Sequence, residues 1–165
     1  LLAWSEDRRE DCVDLLQEGF DLDHARFARY AVWRFHALHA EMGESERAYA
    51  YALELIDGPL RESADALADL AWVVIEAPPE RAYDDIVAER AARRTLELSG
   101  EQHGHAWGAV AMIESRRQNF AEALEAWERA LSFVPSDEVE LVYLQKQRET
   151  REAYERAVRD AVGGP

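Results

Sequence analysis

At 165 residues, 48% of them apolar and with five Trp, six Tyr and five Phe, the chain has the composition of one globular domain, able to bury roughly 70% of the surface its unfolded form exposes. Its 34 acidic residues against 19 basic ones give a net charge of -15, a field that repels phosphate backbones and argues against nucleic acid as a partner. The single cysteine, Cys12, excludes an internal disulfide, and no apolar run of about 18 residues is present to cross a membrane.

Cys12 sits in the pattern DCVDLL as a small apolar residue. The flanking Asp11 and Asp14 are acidic rather than the cationic neighbours that activate a thiol, which argues against a reactive cysteine. A soluble protein is expected, with the cytoplasm as its compartment. The chain starts at Leu1 without an initiator Met, so a piece of a longer protein is also expected.

In chain order, the apolar period predicts a first helix over Glu6 to Phe20, with Ser5 as N-cap and Gly19 near its end. A second runs from His24 through Phe27, Tyr30, Ala31, Phe35 and Leu38 to Met42 and stops at Gly43. Ser45 is placed to cap a third, which Gly58-Pro59 ends. A fourth covers Leu60 to Ala77 and is closed by Pro78-Pro79, because proline lacks a donor and disfavours helix in the residue before it.

A fifth helix restarts near Pro79 and ends at Ser99-Gly100, a tight helix pair spans Gly104 to Val134, and a last helix begins at Ser136. Gly163-Gly164-Pro165 should fray. No segment alternates with period two between turn signals, so the predicted fold class is all-α.

The pair from Gly104 to Asp137 alternates large and small residues: Trp107, Val110, Ala111, Phe120, Ala123, Trp127, Ala130 and Pro135. Shifted back by 35 residues, it places Trp107 on Trp72, Ala123 on Ala88, Ala126 on Ala91, Arg129 on Arg94 and Leu131 on Leu96, with mismatches of Ala130 on Thr95 and Pro135 on Gly100. Gly43, Ala48 and Ala52 form a weaker upstream copy. Small residues let two helices approach to about 8–10 Å while large ones fill the space between neighbouring pairs.

This pattern resembles the tetratricopeptide repeat family in degenerate form, with Glu114, Glu76 and Pro79 departing from its marker residues. The resemblance implies an antiparallel helix-pair solenoid coiled into a right-handed superhelix. Three helix pairs would cover about 29–62, 69–102 and 104–137, with capping helices over about 5–20 and 137–162. The span from Leu67 to Pro135 is also similar to repeat regions attached to other domains in larger bacterial proteins.

Carried onto matching positions, the family's concave groove implies a lining of Tyr30, Trp33, Leu70, Val73, Arg81, His105, Gly108, Met112, Ser115 and Arg116. Gly108 and Met112 depart from the version that clamps a peptide carboxylate. The expected function is non-catalytic: a scaffold or interaction module that holds an apolar or cationic peptide or partner protein, with no cofactor. Packing of Tyr30 and Trp33 onto the first helix is the alternative use of those two aromatics.

A second expectation is self-assembly, as a homo-oligomer, or docking within a larger chain. A third, a metal-binding or enzymatic helical domain, draws on His36, His39, His103 and His105. It lacks a third ligand at metal spacing and any GxSxG, phosphate-loop or HExxH motif.

Overall fold

The computed structural model describes residues 8–76 and 85–162, and every regular element among them is helical. In order these are α1 (Arg9–Leu22), α2 (Ala28–His36), α3 (Ser45–Asp57), α4 (Ala64–Ile75), α5 (Asp85–Ser99), α6 (Gly104–Arg116), α7 (Phe120–Ser132) and α8 (Asp137–Val162). A π turn over Ala37–Glu41 continues α2. The fold is all-α, and no described helix is long and apolar enough to cross a membrane.

Several boundaries differ from the sequence expectation for identifiable reasons. α1 runs to Leu22, past the expected end at Phe20, and Gly19 within it serves packing: a Cβ there would lie 2.6 Å from Tyr30 Cδ2. The proposed cap Ser5 and the residues before position 8 lie outside the described residues. α2 begins at Ala28 rather than His24, since Asp23 draws residues 24–27 into turns by accepting from the N–H of Arg26 on its carboxylate and of Phe27 on its carbonyl.

The π turn, closed by Met42 N–H to Ala37 O at 3.0 Å, carries His39 inward. There the imidazole stacks on Phe35 at 5.7 Å and hydrogen-bonds the Tyr49 hydroxyl at 3.2 Å, while His36 stays exposed. Ser45 turns out to be the first residue of α3, with Glu44 at the cap position. Leu60 does not open α4; it is held in a turn by its N–H to Leu55 O and fills the core. The start expected for the fifth helix near Pro79 lies outside the described residues, which resume at Asp85.

Packing follows chain order, with α4 against α5, α5 against α6, α6 against α7 and α7 against α8, and the alternate helices α2, α4 and α6 also touch in sequence. Alanines make these contacts close: Ala66, Ala68 and Ala71 on α4 and Ala88, Ala91 and Ala92 on α5 are all buried. Thr95 occupies a slot the repeat pattern reserves for alanine, and its hydroxyl is satisfied by Ala91 O at 3.0 Å and Ala64 O at 3.2 Å, joining α5 to the start of α4.

Two apolar clusters result. The larger joins α1 to α6 from Val13 and Phe20 to Ile113, and the smaller gathers Ala111, Ala126, Trp127, Ala130 and Tyr143. Val110 and Met112 pack against both and weld them together.

Candidate binding surface on the alternate helices

Phe27 at the cap of α2 and Tyr30 and Trp33 within it fall three apart, which stacks their rings one above the next. Centroids lie 5.2 Å apart from Phe27 to Tyr30 and 5.7 Å from Tyr30 to Trp33. Gly19 lets Tyr30 lie flat against α1, so Tyr30 is half-buried as the packing alternative expects, while Trp33 at the end of the ladder is 50% exposed. A supported, half-exposed indole is a ready apolar anchor: it presents contact area with little rotamer freedom left to lose.

The second part of the surface is built where α4, α6 and α8 meet. Asp65, Asp69 and Trp72 share one face of α4 at spacings of four and three. Gly108 on α6 lets the Trp72 ring in, a Cβ there falling 2.8 Å from Trp72 Cζ3. The ring then faces His105 at 5.6 Å and Tyr143 at 5.8 Å, and His105 meets Tyr143 at 6.0 Å in an edge-on arrangement. His103, just before α6, donates from Nε2 to Asp65 Oδ1 at 3.2 Å.

The electrostatics of this cluster are set by burial. Desolvation lowers the His105 imidazole below its ordinary 6.5, with the Asp69 charge opposing, so His105 is neutral at neutral pH. Desolvation likewise raises the Asp69 carboxyl above 3.8, against the pull of His105 and Arg29. Burial pushes the Tyr143 phenol up, and its hydroxyl is buried with no hydrogen-bond partner, as is Nδ1 of His103. Two unpaired polar atoms therefore border an aromatic cluster that is closed by α8.

The residues expected to line the groove divide accordingly. Tyr30 and Trp33 come together on α2, and His105 joins the α4–α6–α8 cluster. Val73 and Ser115 are half-buried, and Arg116 is exposed and donates to Ile75 O across α4 and α6. Leu70 is a correction: it has no accessible surface and belongs to the larger core, because α4 is packed from three sides by α2, α5 and α6. Gly108 is likewise buried under Trp72, and Met112 is half-buried between the two cores. Arg81 lies outside the described residues.

Asp65, Asp69 and Trp72 are the members of this surface that sequence reasoning missed, together with the fully buried Tyr143 behind them. The 3–4 spacing of the first three was a usable signal, whereas Tyr143 arrives only through tertiary packing of α8. Among the described residues no three His, Cys, Asp or Glu side chains converge as a metal-ligand set. The chain matches no family model, no curated protein and no solved structure.

Proposed function

We propose that the chain is a non-catalytic interaction module, a degenerate tetratricopeptide-type stack in which α2, α4 and α6 are the first helices of successive pairs and form the groove that holds a peptide or partner protein. The observation that carries this is Trp33: a half-exposed indole held in place by the Phe27–Tyr30 stack beneath it. Burying one such side chain in a complex contributes roughly 1.5–3 kcal/mol, and the net charge of -15 selects partners that are apolar or cationic. Asp65 and Asp69, on the same face of α4 as Trp72, agree with that sign.

The test is selection of peptides from a random displayed library on the immobilised chain, followed by anisotropy titration of those recovered. Saturable binding that disappears in Trp33→Ala with helicity intact supports the groove. Peptides that bind Trp33→Ala and Met112→Ala as well as the parent chain remove it.

Self-assembly is the second reading, and α8 favours it. Leu141, Leu144, Arg148, Arg151, Glu155, Val158 and Val162 repeat at alternating spacings of three and four, and Leu141 and Val162 are 69% and 83% exposed. Antiparallel pairing of two copies would set Leu141 against Val162, Leu144 against Val158 and Arg148 against Glu155, with the two Arg151 side chains meeting at the twofold axis. Light scattering decides it: a dimer converted to monomer by Leu144→Glu supports the seam, and a parent chain that stays monomeric at high concentration dismisses it.

A further inference from the structure

α1, α2 and α3 border a cavity of about 340 Å3 whose polar lining includes Asp21, Arg34, Tyr51 and Glu54 and whose apolar lining includes Phe20 and Leu55. Its size is at the lower end of ligand sites, roughly 300–1,000 Å3, and suits a molecule of a few heavy atoms. Tyr51 is only 9% exposed, and its hydroxyl lies beside the Arg34 guanidinium without a well-formed hydrogen bond to it. Nε of Arg34 is buried without an acceptor, and the guanidinium lies 4.3 Å over the Tyr51 ring.

Charges of both signs line this cavity without cancelling each other. Among the described residues Arg34 forms no ion pair, although Asp21 and Glu54 line the same space. Asp21 is held by Gln17 at 2.6 Å and by His24 at 3.8 Å, and Glu54 has no cationic partner among the described residues. Burial raises the Tyr51 phenol, with the Arg34 charge opposing, so the hydroxyl keeps its proton and is a donor at neutral pH. A planar guanidinium beside a hydroxyl is a donor set for a carboxylate, and two carboxylates across the same space form an acceptor set for an ammonium group.

We propose that this cavity binds a free α-amino acid, its carboxylate accepting from the Tyr51 hydroxyl and the Arg34 guanidinium and its ammonium donating to Glu54 and Asp21. Each unpaired buried polar atom gains its missing partner, which is why binding is favourable at groups already held in place. A peptide end carries one of the two charges without the other at that carbon, and an inorganic anion leaves the carboxylates unanswered. The site is separate from the Trp33 groove and does not rest on it.

Calorimetric titration of the whole chain with glycine, L-leucine and L-glutamate tests this, with 4-methylpentanoate and isopentylamine as the leucine analogues lacking one charge each. The expected result is saturable binding of at least one amino acid, with each single-charge analogue weaker by about tenfold or more. Tyr51→Phe keeps the ring, removes only an unpaired hydroxyl and should retain helicity and Tm while weakening binding about tenfold; Glu54→Gln, at an exposed position, should weaken it similarly. Absence of saturable heat with all three amino acids overturns the proposal, as does equal binding of 4-methylpentanoate and leucine, or unchanged affinity in both variants.

Discussion

Trp127 donates from Nε1 to Thr150 Oγ1 at 3.1 Å across the contact between α7 and α8, with both side chains buried. The Thr150 hydroxyl in turn donates to Lys146 O at 3.0 Å, so the indole N–H ends in a complete chain of hydrogen bonds. Of the 26 residues of α8 only Tyr143 and Thr150 are buried, and this pair is therefore the polar fastening of the helix. Thr150→Val keeps the shape and strands the Trp127 N–H, and should lose about 1–3 kcal/mol in urea unfolding, whereas Thr150→Ser should lose less.

Gly108 and Trp72 give a prediction whose sign opposes helix propensity. Gly108 is in the middle of α6, where alanine is better by about 1 kcal/mol in an open helix. Here a Cβ would fall 2.8 Å from Trp72 Cζ3 and 3.4 Å from Trp127 Cζ3, and overpacking of this kind costs about 1–3 kcal/mol. Gly108→Ala should therefore be less stable than the parent chain, with a shifted tryptophan emission; greater stability would contradict the packing.

Arg117, directly after α6, holds Asp85 at 3.0 Å and Glu89 at 2.8 Å on α5 and Glu114 at 3.2 Å on its own helix. Its hydrogen bond is the main reason the Glu89 carboxyl lies below 4.5, with Arg93 adding to it. A depressed carboxyl contributes stability that is fully present above pH 4.5 and lost as pH falls through its folded value. Arg117→Ala should cost about 1 kcal/mol at neutral pH, less in high salt, and should reduce the loss of stability on acidification, read from Tm against pH.

His105 and Asp69 give opposite signs. His105 is depressed below 6.5, so the unfolded chain takes up its proton first and stability falls as pH drops from 6.5 through the folded value; His105→Gln should flatten that part of the Tm profile. Asp69 is raised above 3.8, so its contribution is present below 3.8 and lost as pH rises through the folded value. Asp69→Asn should then raise Tm at neutral pH and lose its advantage near the acid end, and a lowered Tm at pH 7 would show that its charge is stabilised instead.

The helical character of the chain, and the stops at Gly58-Pro59, Ser99-Gly100 and the turn between α6 and α7, were legible because each depends on residues adjacent in sequence. Gly19 was read only as lying near a helix end, because its packing role is decided by Tyr30, eleven positions further on. The π turn of α2 left no local mark, and it is what turns His39 inward and leaves His36 outside. On α4 nearly every position is apolar or alanine, so periodicity could not reveal which face stays open, and Leu70 was placed in the groove by family position alone. The stacking of Tyr30 and Trp33 follows from their spacing along one helix, whereas the cluster around Trp72 and Tyr143 depends on how α8 returns.

The contact of Phe120 with Tyr154, rings 5.8 Å apart, marks where the N-terminal end of α7 lies beneath α8. Residues 155–162 continue the helix past that point and are all exposed. Eight residues at 1.5 Å each make an overhang of about 12 Å. The last helix is thus a bracket as well as a lid: whatever touches Val158 and Val162 is held at a fixed stand-off from the bundle, and shortening or lengthening α8 by one turn would change that distance by about 5 Å and leave the packed body untouched.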